Sequence, residues 1–218
     1  RGGRAGAIRN YGYPVRKEFR RMSRRAARER LGLSSDGILL TILGGSQGAS
    51  SLNEWIDANW KDLGRAGINV YCVRGIGKGA AGSLEIRRDG GAVSTCVSLP
   101  FCDDMNTLLC ASDLAVSRAG AGAIAELTRC RVPSILVPYP YSTDGHQEEN
   151  ARFLERQGGC LVVPQKHLGG LRDEVLELAF DGWLLGKMRS NLERIDDHNR
   201  TDKIIDDPIH LADSRREW

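Results

Sequence analysis

Two glycine-rich turns, each directly after a strongly apolar run, constrain this chain more than any other feature. They are residues 44–49 (GGSQGA) and residues 117–123 (SRAGAGA). Glycine lets bare backbone approach a ligand, and a helix that begins behind such a turn points unpaired N–H groups and a partial positive charge at it. Two such turns in one domain predict a site for a diphosphate, as found in a nucleotide or a nucleotide sugar.

Short apolar runs alternate with helical patterns along the chain. The patterns predict strands at residues 38–43, 68–73, 92–99, 113–117, 134–137 and 160–163, and helices at 15–31, 50–63, 103–111, 122–130, 146–157, 171–180 and 183–195. The predicted strands are apolar almost throughout, which is typical of a sheet covered on both faces. Because strand and helix alternate, the right-handed crossover rule predicts an α/β fold with a doubly wound parallel sheet and a helical C-terminal segment.

The length and composition fit one main globular unit. With 218 residues, 41% of them hydrophobic, the chain can bury one substantial core. We divide it into an N-terminal linker and helix (1–37), a Rossmann-like core (38–165) and C-terminal helices (166–218). No apolar run approaches the ~20 residues that cross a bilayer, and no signal peptide is visible. The first residue is Arg1 rather than Met, which is consistent with a piece of a longer protein.

Cysteine usage and charge narrow the function classes. The six cysteines form no CxxC pair and lie mostly in apolar segments, which indicates reduced, buried thiols and favours the cytosol. Residues 1–30 hold eleven Arg and Lys against two Glu. This excess is typical of a basic stripe for phosphates or an anionic membrane surface, or else of a solvated helix face. Aromatic residues there are too few for a stacking platform, so we expect no nucleic-acid partner.

The unusual residue clusters fall where ligands bind in such folds. In an open parallel sheet, ligands bind beyond the carboxyl ends of the strands. Four clusters follow predicted strands: residues 44–49, 100–105, 117–123 and 138–150. The first lacks both the GxGxxG spacing of dinucleotide folds and the GxxxxGK[ST] of a P-loop, which argues against NAD and against ATP hydrolysis. A single turn of this kind is a generic connection, but four at one edge indicate a site.

Two of these clusters carry polar side chains with alternative explanations. Glu126 lies one to two turns into the helix behind the second glycine turn, where its carboxylate could accept hydrogen bonds from ribose hydroxyls. The alternative is a glutamate favoured there by the helix dipole. His146, Gln147 and Asn150 begin a helix after a loop dense in groups that can bind sugar hydroxyls. The alternative is an ordinary helix start capped by a side chain of residues 143–144.

Taken together, these motifs resemble the carboxyl-terminal, donor-binding half of the bacterial glycosyltransferase family that adds N-acetylglucosamine to lipid I, making lipid II for peptidoglycan. The resemblance rests on residues 12–16 (GYPVR), 44–49, 101–105, 117–126 and 146–150, and covers most of residues 12–163. It implies a GT-B enzyme with two Rossmann-like domains. UDP-N-acetylglucosamine would be held in the second, and the lipid-linked acceptor would dock on the first. The implied location is cytoplasmic, peripheral on the inner face of the plasma membrane.

The resemblance also implies a role for each matching residue. The diphosphate would lie against Ser46, Gln47 and the backbone of Gly120, Ala121, Gly122 and Ala123, with Arg16 nearby. Uracil would pack near Phe101, contact backbone at Cys102 and touch Met105. Glu126 would bind the ribose, and His146, Gln147 and Asn150 the sugar ring. Because Gly122 and Ala123 replace a bulkier or hydroxylated pair found in some members, only backbone donors can bind phosphate there.

The implied reaction is an inverting displacement in which the acceptor hydroxyl attacks the anomeric carbon and UDP leaves. Helix N-termini and Arg16 would stabilise the leaving-group charge. The general base would belong to the amino-terminal domain, so we expect no catalytic residue in this chain and no transfer by the chain alone. No DxD stands in a loop at a strand end, and we expect neither a metal nor a cofactor. Two alternatives are a catalytic subunit of a split dolichol-pathway N-acetylglucosaminyltransferase and a non-catalytic nucleotide-sugar-binding module.

Overall fold

A computed structural model of the protein describes residues 13–33, 37–44 and 50–199. The strands of this part are β1 (Ile38–Leu43), β2 (Ile68–Val73), β3 (Gly82–Arg87), β4 (Val93–Leu99), β5 (Leu114–Ser117), β6 (Ser134–Leu136) and β7 (Cys160–Val162). The helices are α1 (Arg24–Arg30), α2 (Ser50–Arg65), α3 (Met105–Ala111), α4 (Ala121–Arg129), α5 (His146–Arg156), α6 (Leu171–Phe180) and α7 (Gly182–Asp197). Short 3-10 turns at Thr143–Gly145 and Gln165–Gly170 precede α5 and α6.

The strands form one mostly parallel sheet in the order β3-β4-β2-β1-β5-β6-β7. Only β3, at one edge, runs antiparallel among these strands. The chain order reverses at β1, which pairs with β2 on one side and with β5 on the other. Leu43 is paired with Ser117, so the two glycine-rich turns leave the sheet side by side. This confirms the predicted fold and places Gly44 and Arg118, which directly follow β1 and β5, at its switch point, where doubly wound folds bind ligands.

Helices cover both faces of the sheet, as the apolar strands predict. Alternate residues of a strand point to opposite faces. On one face Ile42 packs in a buried cluster with Ile56 of α2 and Leu171 of α6. On the other, Leu43 packs with residues of α3, α4 and α5, among them Leu127. Burying each such side chain contributes about 1.5–3 kcal/mol, which makes the sheet a rigid platform for the loops at its ends.

The predicted helix at residues 15–31 is wrong over its first half. Only Arg24–Arg30 is helical, and the helix begins where the Ser23 side chain accepts a hydrogen bond from the Ala26 N–H. Before it, the Arg20 N–H donates to Asn106 Oδ1 at 3.0 Å instead of to a helical carbonyl, and Phe19 is buried. Tertiary contacts therefore satisfy this backbone and hold it against α3 in a non-helical conformation.

Strand β3 does not appear in the sequence prediction. Its residues are mostly exposed, so it lacks the continuous apolar run that marks the other strands. It is defined instead by antiparallel hydrogen bonds to β4, which follows it in the chain after a short turn. The remaining predicted strands and helices agree with the structure to within two residues at each end. The C-terminal segment is helical as expected over its described part, through α6 and α7.

Candidate functional site

The second glycine-rich turn leads directly into α4 and leaves the start of that helix open. Gly120 is the N-cap residue, with φ −66° and ψ 143°, and no side chain caps the helix. A Cβ added at Gly120 or Gly122 would meet no atom of the described residues within 4 Å. Neither residue has a positive φ. The fold itself therefore does not require glycine at these positions, whereas a ligand that approaches the backbone N–H groups would.

Two predicted site residues lie against this turn. Arg16 Nη2 donates to Glu126 Oε1 at 3.1 Å, which brings the segment before α1 onto the middle of α4. The Arg16 side chain is 61% exposed and that of Glu126 is 23% exposed. Burial raises the pKa of Glu126, and the hydrogen bond from Arg16 opposes this rise. A half-buried carboxylate with one mobile cationic partner can exchange that partner for hydroxyl donors of a ligand.

The start of α5 joins the same site. Asn150 Nδ2 donates to the Ala119 carbonyl at 3.3 Å and so connects the two loops. Gln147 Oε1 accepts from the Tyr139 N–H at 3.0 Å. The Gln147 amide NH₂ makes no hydrogen bond to any described residue and remains available to a ligand. His146 is exposed, with Nε2 3.9 Å from Asp144 Oδ2.

The alternative explanation of this loop as an ordinary capped helix start is wrong. Gly145, in the left-handed conformation at φ 70°, is the N-cap residue of α5, and no side chain caps it. Asp144 also has a positive φ of 49°. The nearest substitute is the Ser142 hydroxyl, which accepts from the Gln147 N–H at 3.4 Å. Two consecutive left-handed residues give the loop a tight bend that turns Gln147 back towards Tyr139.

The residues assigned to uracil lie at the carboxyl end of β4. Phe101 is exposed, Cys102 is half-buried and Met105 begins α3. The Asp104 side chain caps α3 by accepting from the Thr107 N–H at 3.1 Å. Burial raises the pKa of the Cys102 thiol, so the thiol is neutral near pH 7. No hydrogen bond joins these residues to the start of α4 in the described chain. Ser46 and Gln47 lie outside the described residues.

Arg118 is a central residue that sequence reasoning did not select. It is buried, and its guanidinium donates to the Val137 and Pro138 carbonyls at 3.0 and 3.3 Å. It also donates to Ser51 Oγ at 2.8 Å and to Gln165 Oε1 at 2.6 Å. The contacts connect the start of α2, the loop after β6 and the turn after β7. The available signal was an arginine placed directly after a fully buried strand.

Burial lowers the pKa of Arg118. The ordinary pKa of arginine is so far above 7 that the guanidinium stays charged. The guanidinium also lies 5.4 Å from the centre of the Tyr139 ring, a cation–π distance. Its hydrogen-bond partners among the described residues are carbonyl, hydroxyl and amide oxygens rather than a carboxylate. A buried positive charge with neutral partners thus supports the edge of the sheet at which the glycine-rich turns emerge.

Residues 13–33, 37–44 and 50–199 contain no group of three or more His, Cys, Asp or Glu side chains placed to hold a metal ion. Within the same residues, no helix is both long and apolar enough to span a bilayer. All six cysteines are free thiols, four of them buried.

The fold and the open helix start at its switch point are those of a Rossmann-like domain, the kind that makes up each half of a GT-B glycosyltransferase. Residues 39–201 match the glycosyltransferase family 28 C-terminal domain, and the chain belongs to this family.

Similar proteins carry one activity in their names. The chain is 47% identical over 202 residues to the UDP-N-acetylglucosamine--N-acetylmuramyl-(pentapeptide) pyrophosphoryl-undecaprenol N-acetylglucosamine transferase of Opitutus terrae, covering 93% of this chain and 54% of the relative. It is 38% identical to the transferase of the same name from Acetivibrio thermocellus, covering 89% and 53%. The crystal structure of Acinetobacter baumannii MurG superimposes with a TM-score of 0.66 at 25% identity, covering 87% and 53%. The chain spans about half the length of these relatives.

Proposed function

We propose that this chain is the donor-binding half of an inverting glycosyltransferase. The enzyme would transfer N-acetylglucosamine from UDP-N-acetylglucosamine to undecaprenyl-pyrophosphoryl-N-acetylmuramyl-pentapeptide, converting lipid I to lipid II. The observation that carries this proposal is the uncapped start of α4, with Glu126 and Asn150 beside it, in a chain whose relatives are named for this transfer. Those names also favour this activity over that of a dolichol-pathway subunit.

The diphosphate would bind at the uncapped start of α4. Backbone N–H groups of residues 120–123 donate to its oxygens, and the helix dipole adds a favourable partial charge. No described residue comes within 4 Å of a Cβ added at Gly120 or Gly122. Ser46 and Gln47, from the adjacent first glycine-rich turn, would contribute further donors. When the sugar is transferred, these donors stabilise the charge that develops on UDP.

The ribose would be bound by Glu126 after a change of partner. In the unliganded protein Glu126 pairs with Arg16, 110 residues away in the chain. A diphosphate at the start of α4 attracts the exposed Arg16 guanidinium and leaves the Glu126 carboxylate to accept from the ribose hydroxyls. Uracil would then contact Phe101, Cys102 and Met105 at the carboxyl end of β4.

The hexose would be bound by the first turn of α5. The free amide NH₂ of Gln147 can donate to a ring hydroxyl, while its Oε1 is held by the Tyr139 N–H and fixes the orientation of the amide. His146, exposed beside it, and Asn150, held against Ala119, complete the set. Because these residues contact only the sugar, they would select the hexose rather than the nucleotide.

The remaining parts of the proposal concern the whole enzyme. The lipid-linked acceptor and the general base would belong to the amino-terminal half. The enzyme would act in the cytoplasm, peripheral on the inner face of the plasma membrane, and basic residues among 1–30 other than Arg16 and the buried Arg28 would face anionic lipid. We propose that donor binding uses no metal and no cofactor, and that nucleic acid is not a partner.

Calorimetric titration of the chain with UDP-N-acetylglucosamine, UDP-glucose, UDP and NAD tests the proposal. We expect UDP and UDP-N-acetylglucosamine to bind at one site, UDP-glucose to bind more weakly than UDP-N-acetylglucosamine, and NAD not to bind. Equal binding of NAD and UDP, or no binding of any of the four ligands, would contradict a uridine-specific donor site.

A further inference from the structure

A second cluster of charged residues lies at the amino ends of the central strands, whereas the proposed donor site lies at their carboxyl ends. Asp113 directly precedes β5, and Gly37 directly precedes β1, so both mark the amino ends of these strands. Asp113 and Gly37 line a pocket of about 520 Å³. Its other lining residues include Arg24 and Arg28 of α1, Phe180 of α6, and Leu185 and Arg189 of α7. We refer to these residues as the basic pocket.

Asp113 is the acidic residue at the centre of the basic pocket, and it is already fully engaged. Its carboxylate pairs with both Arg24 and Arg28 and accepts from the Leu39 N–H at 2.8 Å. Arg189 Nη2 donates to the Asp113 backbone carbonyl at 3.1 Å and lies 3.6 Å from Oδ1. No other carboxylate of residues 13–33, 37–44 and 50–199 lines the pocket, so Asp113 is the one described carboxylate that Arg24 and Arg189 share.

The charged form of Arg189 is disfavoured in this pocket. Burial lowers the pKa of Arg189, and repulsion by Arg24 and Arg28 lowers it further, while Asp113 opposes the shift. The last turn of α6 and the first turn of α7 also border the pocket, and their partial charges have opposite signs and offset each other. The excess charge therefore comes from the arginine side chains themselves.

The donors available in the basic pocket match a tetrahedral oxyanion. Each guanidinium carries five N–H donors, and in the described chain Arg24 and Arg189 use few of theirs: Arg24 pairs with Asp113 alone, and Arg189 bonds only to Asp113. Arginine forks bind phosphate oxygens in a bidentate manner. We propose that the basic pocket is a second anion site, which binds a phosphate group.

The proposed phosphate could be free in solution or carried by a lipid headgroup, because both present the same oxygens. Phe180, which lines the pocket, is exposed, and Trp183, the second residue of α7, is 77% exposed. The basic pocket lies at the amino ends of the strands and the start of α4 at their carboxyl ends, so an anion can bind in the pocket independently of the donor. The proposal therefore stands whether or not the chain binds UDP.

Titration with inorganic phosphate and with pyrophosphate at low ionic strength tests this site. Because either anion can also bind at the start of α4, each titration is repeated with saturating UDP, and only binding that persists is assigned to the basic pocket. We expect Arg189→Gln to weaken this binding at least about tenfold. The matched control is Arg25→Gln, which removes an exposed arginine of α1 that pairs only with Glu29.

A second arm separates the two phosphate sources. The same variants are sedimented with phosphatidylglycerol vesicles and with phosphatidylcholine vesicles, and thermal melting verifies that each variant is folded. Loss of phosphate binding, or of sedimentation with phosphatidylglycerol, in folded Arg189→Gln but not in Arg25→Gln supports the site and identifies its source. Equal effects of the two variants, or no binding in either arm, would overturn the proposal and leave the cluster a purely structural one.

Discussion

Single side chains at the proposed donor site differ in how replaceable they are. Arg118 is buried and bonded to three separate segments, so any substitution disturbs the whole edge of the sheet. Glu126 and Gln147 each make one described side-chain bond across segments and retain unused capacity. Substitutions of these two residues therefore test ligand binding with little effect on folding.

We expect Glu126→Ala to weaken UDP binding by about 1.5–3 kcal/mol, the typical value of a hydrogen bond to a charged group. The unliganded variant should be no less stable than the wild type, because burial already raises the pKa of this carboxyl and disfavours its charged form. Calorimetry with UDP and with its dideoxyribose analogue measures the effect. The analogue should bind both proteins alike.

Glu18→Ala, which removes the exposed second partner of Arg16, is the matched control. Unchanged UDP affinity in Glu126→Ala would show that Glu126 does not bind the ribose and is only a glutamate favoured by the helix dipole.

Gln147→Ala should separate the sugar from the nucleotide. We expect it to weaken UDP-N-acetylglucosamine binding about tenfold or more and to leave UDP nearly unchanged, since its free amide NH₂ faces only the hexose in the proposed complex. Titrating both ligands against both proteins gives the answer. Equal losses for the two ligands would mean that the loop only shapes the pocket, and no loss for either would remove residues 146–150 from the site.

At the scale of the elements, the start of α4 is where local structure and proposed function meet. Its glycines are free of steric constraint in the unliganded protein, and β5 and α4 are themselves well determined by apolar packing. We expect Gly122→Val to keep the melting temperature close to that of the control Gly186→Val, which also adds a side chain in open space on a helix. Only Gly122→Val should lose UDP affinity, by at least about tenfold. Retained affinity, measured by calorimetry, would place the diphosphate elsewhere.

Most elements were accessible from the sequence because their signal is local. The parallel strands are buried on both faces and therefore read as continuous apolar runs. Strand β3 and the segment before α1 were missed because their conformations depend on distant partners: β4 for the former, and Asn106 of α3 for the latter. The site shows the same division. The glycine-rich turns indicated the edge of the sheet at which the candidate site lies. Nothing in their spacing predicts that Arg16 pairs with Glu126 or that Arg118 connects three segments.

At the scale of the whole molecule, Asp113 joins α1, β1, β5 and α7 at the amino edge of the sheet. We expect Asp113→Ala to lower the free energy of unfolding by about 3–5 kcal/mol, because it removes a buried carboxylate that bonds to Arg24, Arg28 and the Leu39 N–H. Urea denaturation measures this loss. Asp62→Ala, which breaks only exposed pairs with Arg65 and Arg172, should lose at most about 1 kcal/mol. Similar losses in the two variants would contradict a central role for Asp113.

The proposed division of labour between two halves predicts the behaviour of the isolated chain. We expect the 218-residue protein to bind UDP and UDP-N-acetylglucosamine but to transfer no sugar to a lipid I analogue, since the acceptor site and general base are assigned to the other half. A radiolabelled transfer assay compares it with a full-length relative. Turnover at a comparable rate by the isolated chain would place a general base within these residues.

The sequence alone predicted most of the elements, the parallel sheet and the edge at which we propose that a ligand binds, because apolar periodicity and glycine-rich turns act within a few residues of the chain. The tertiary structure decided which side chains meet. Arg16 reaches Glu126 across 110 residues, and Arg118 reaches Ser51 and Gln165 across 67 and 47. The basic pocket likewise gathers α1, the start of β5 and α7. Such contacts depend on how the helices pack on the sheet, and this packing is set by the summed burial of the whole core rather than by any local pattern.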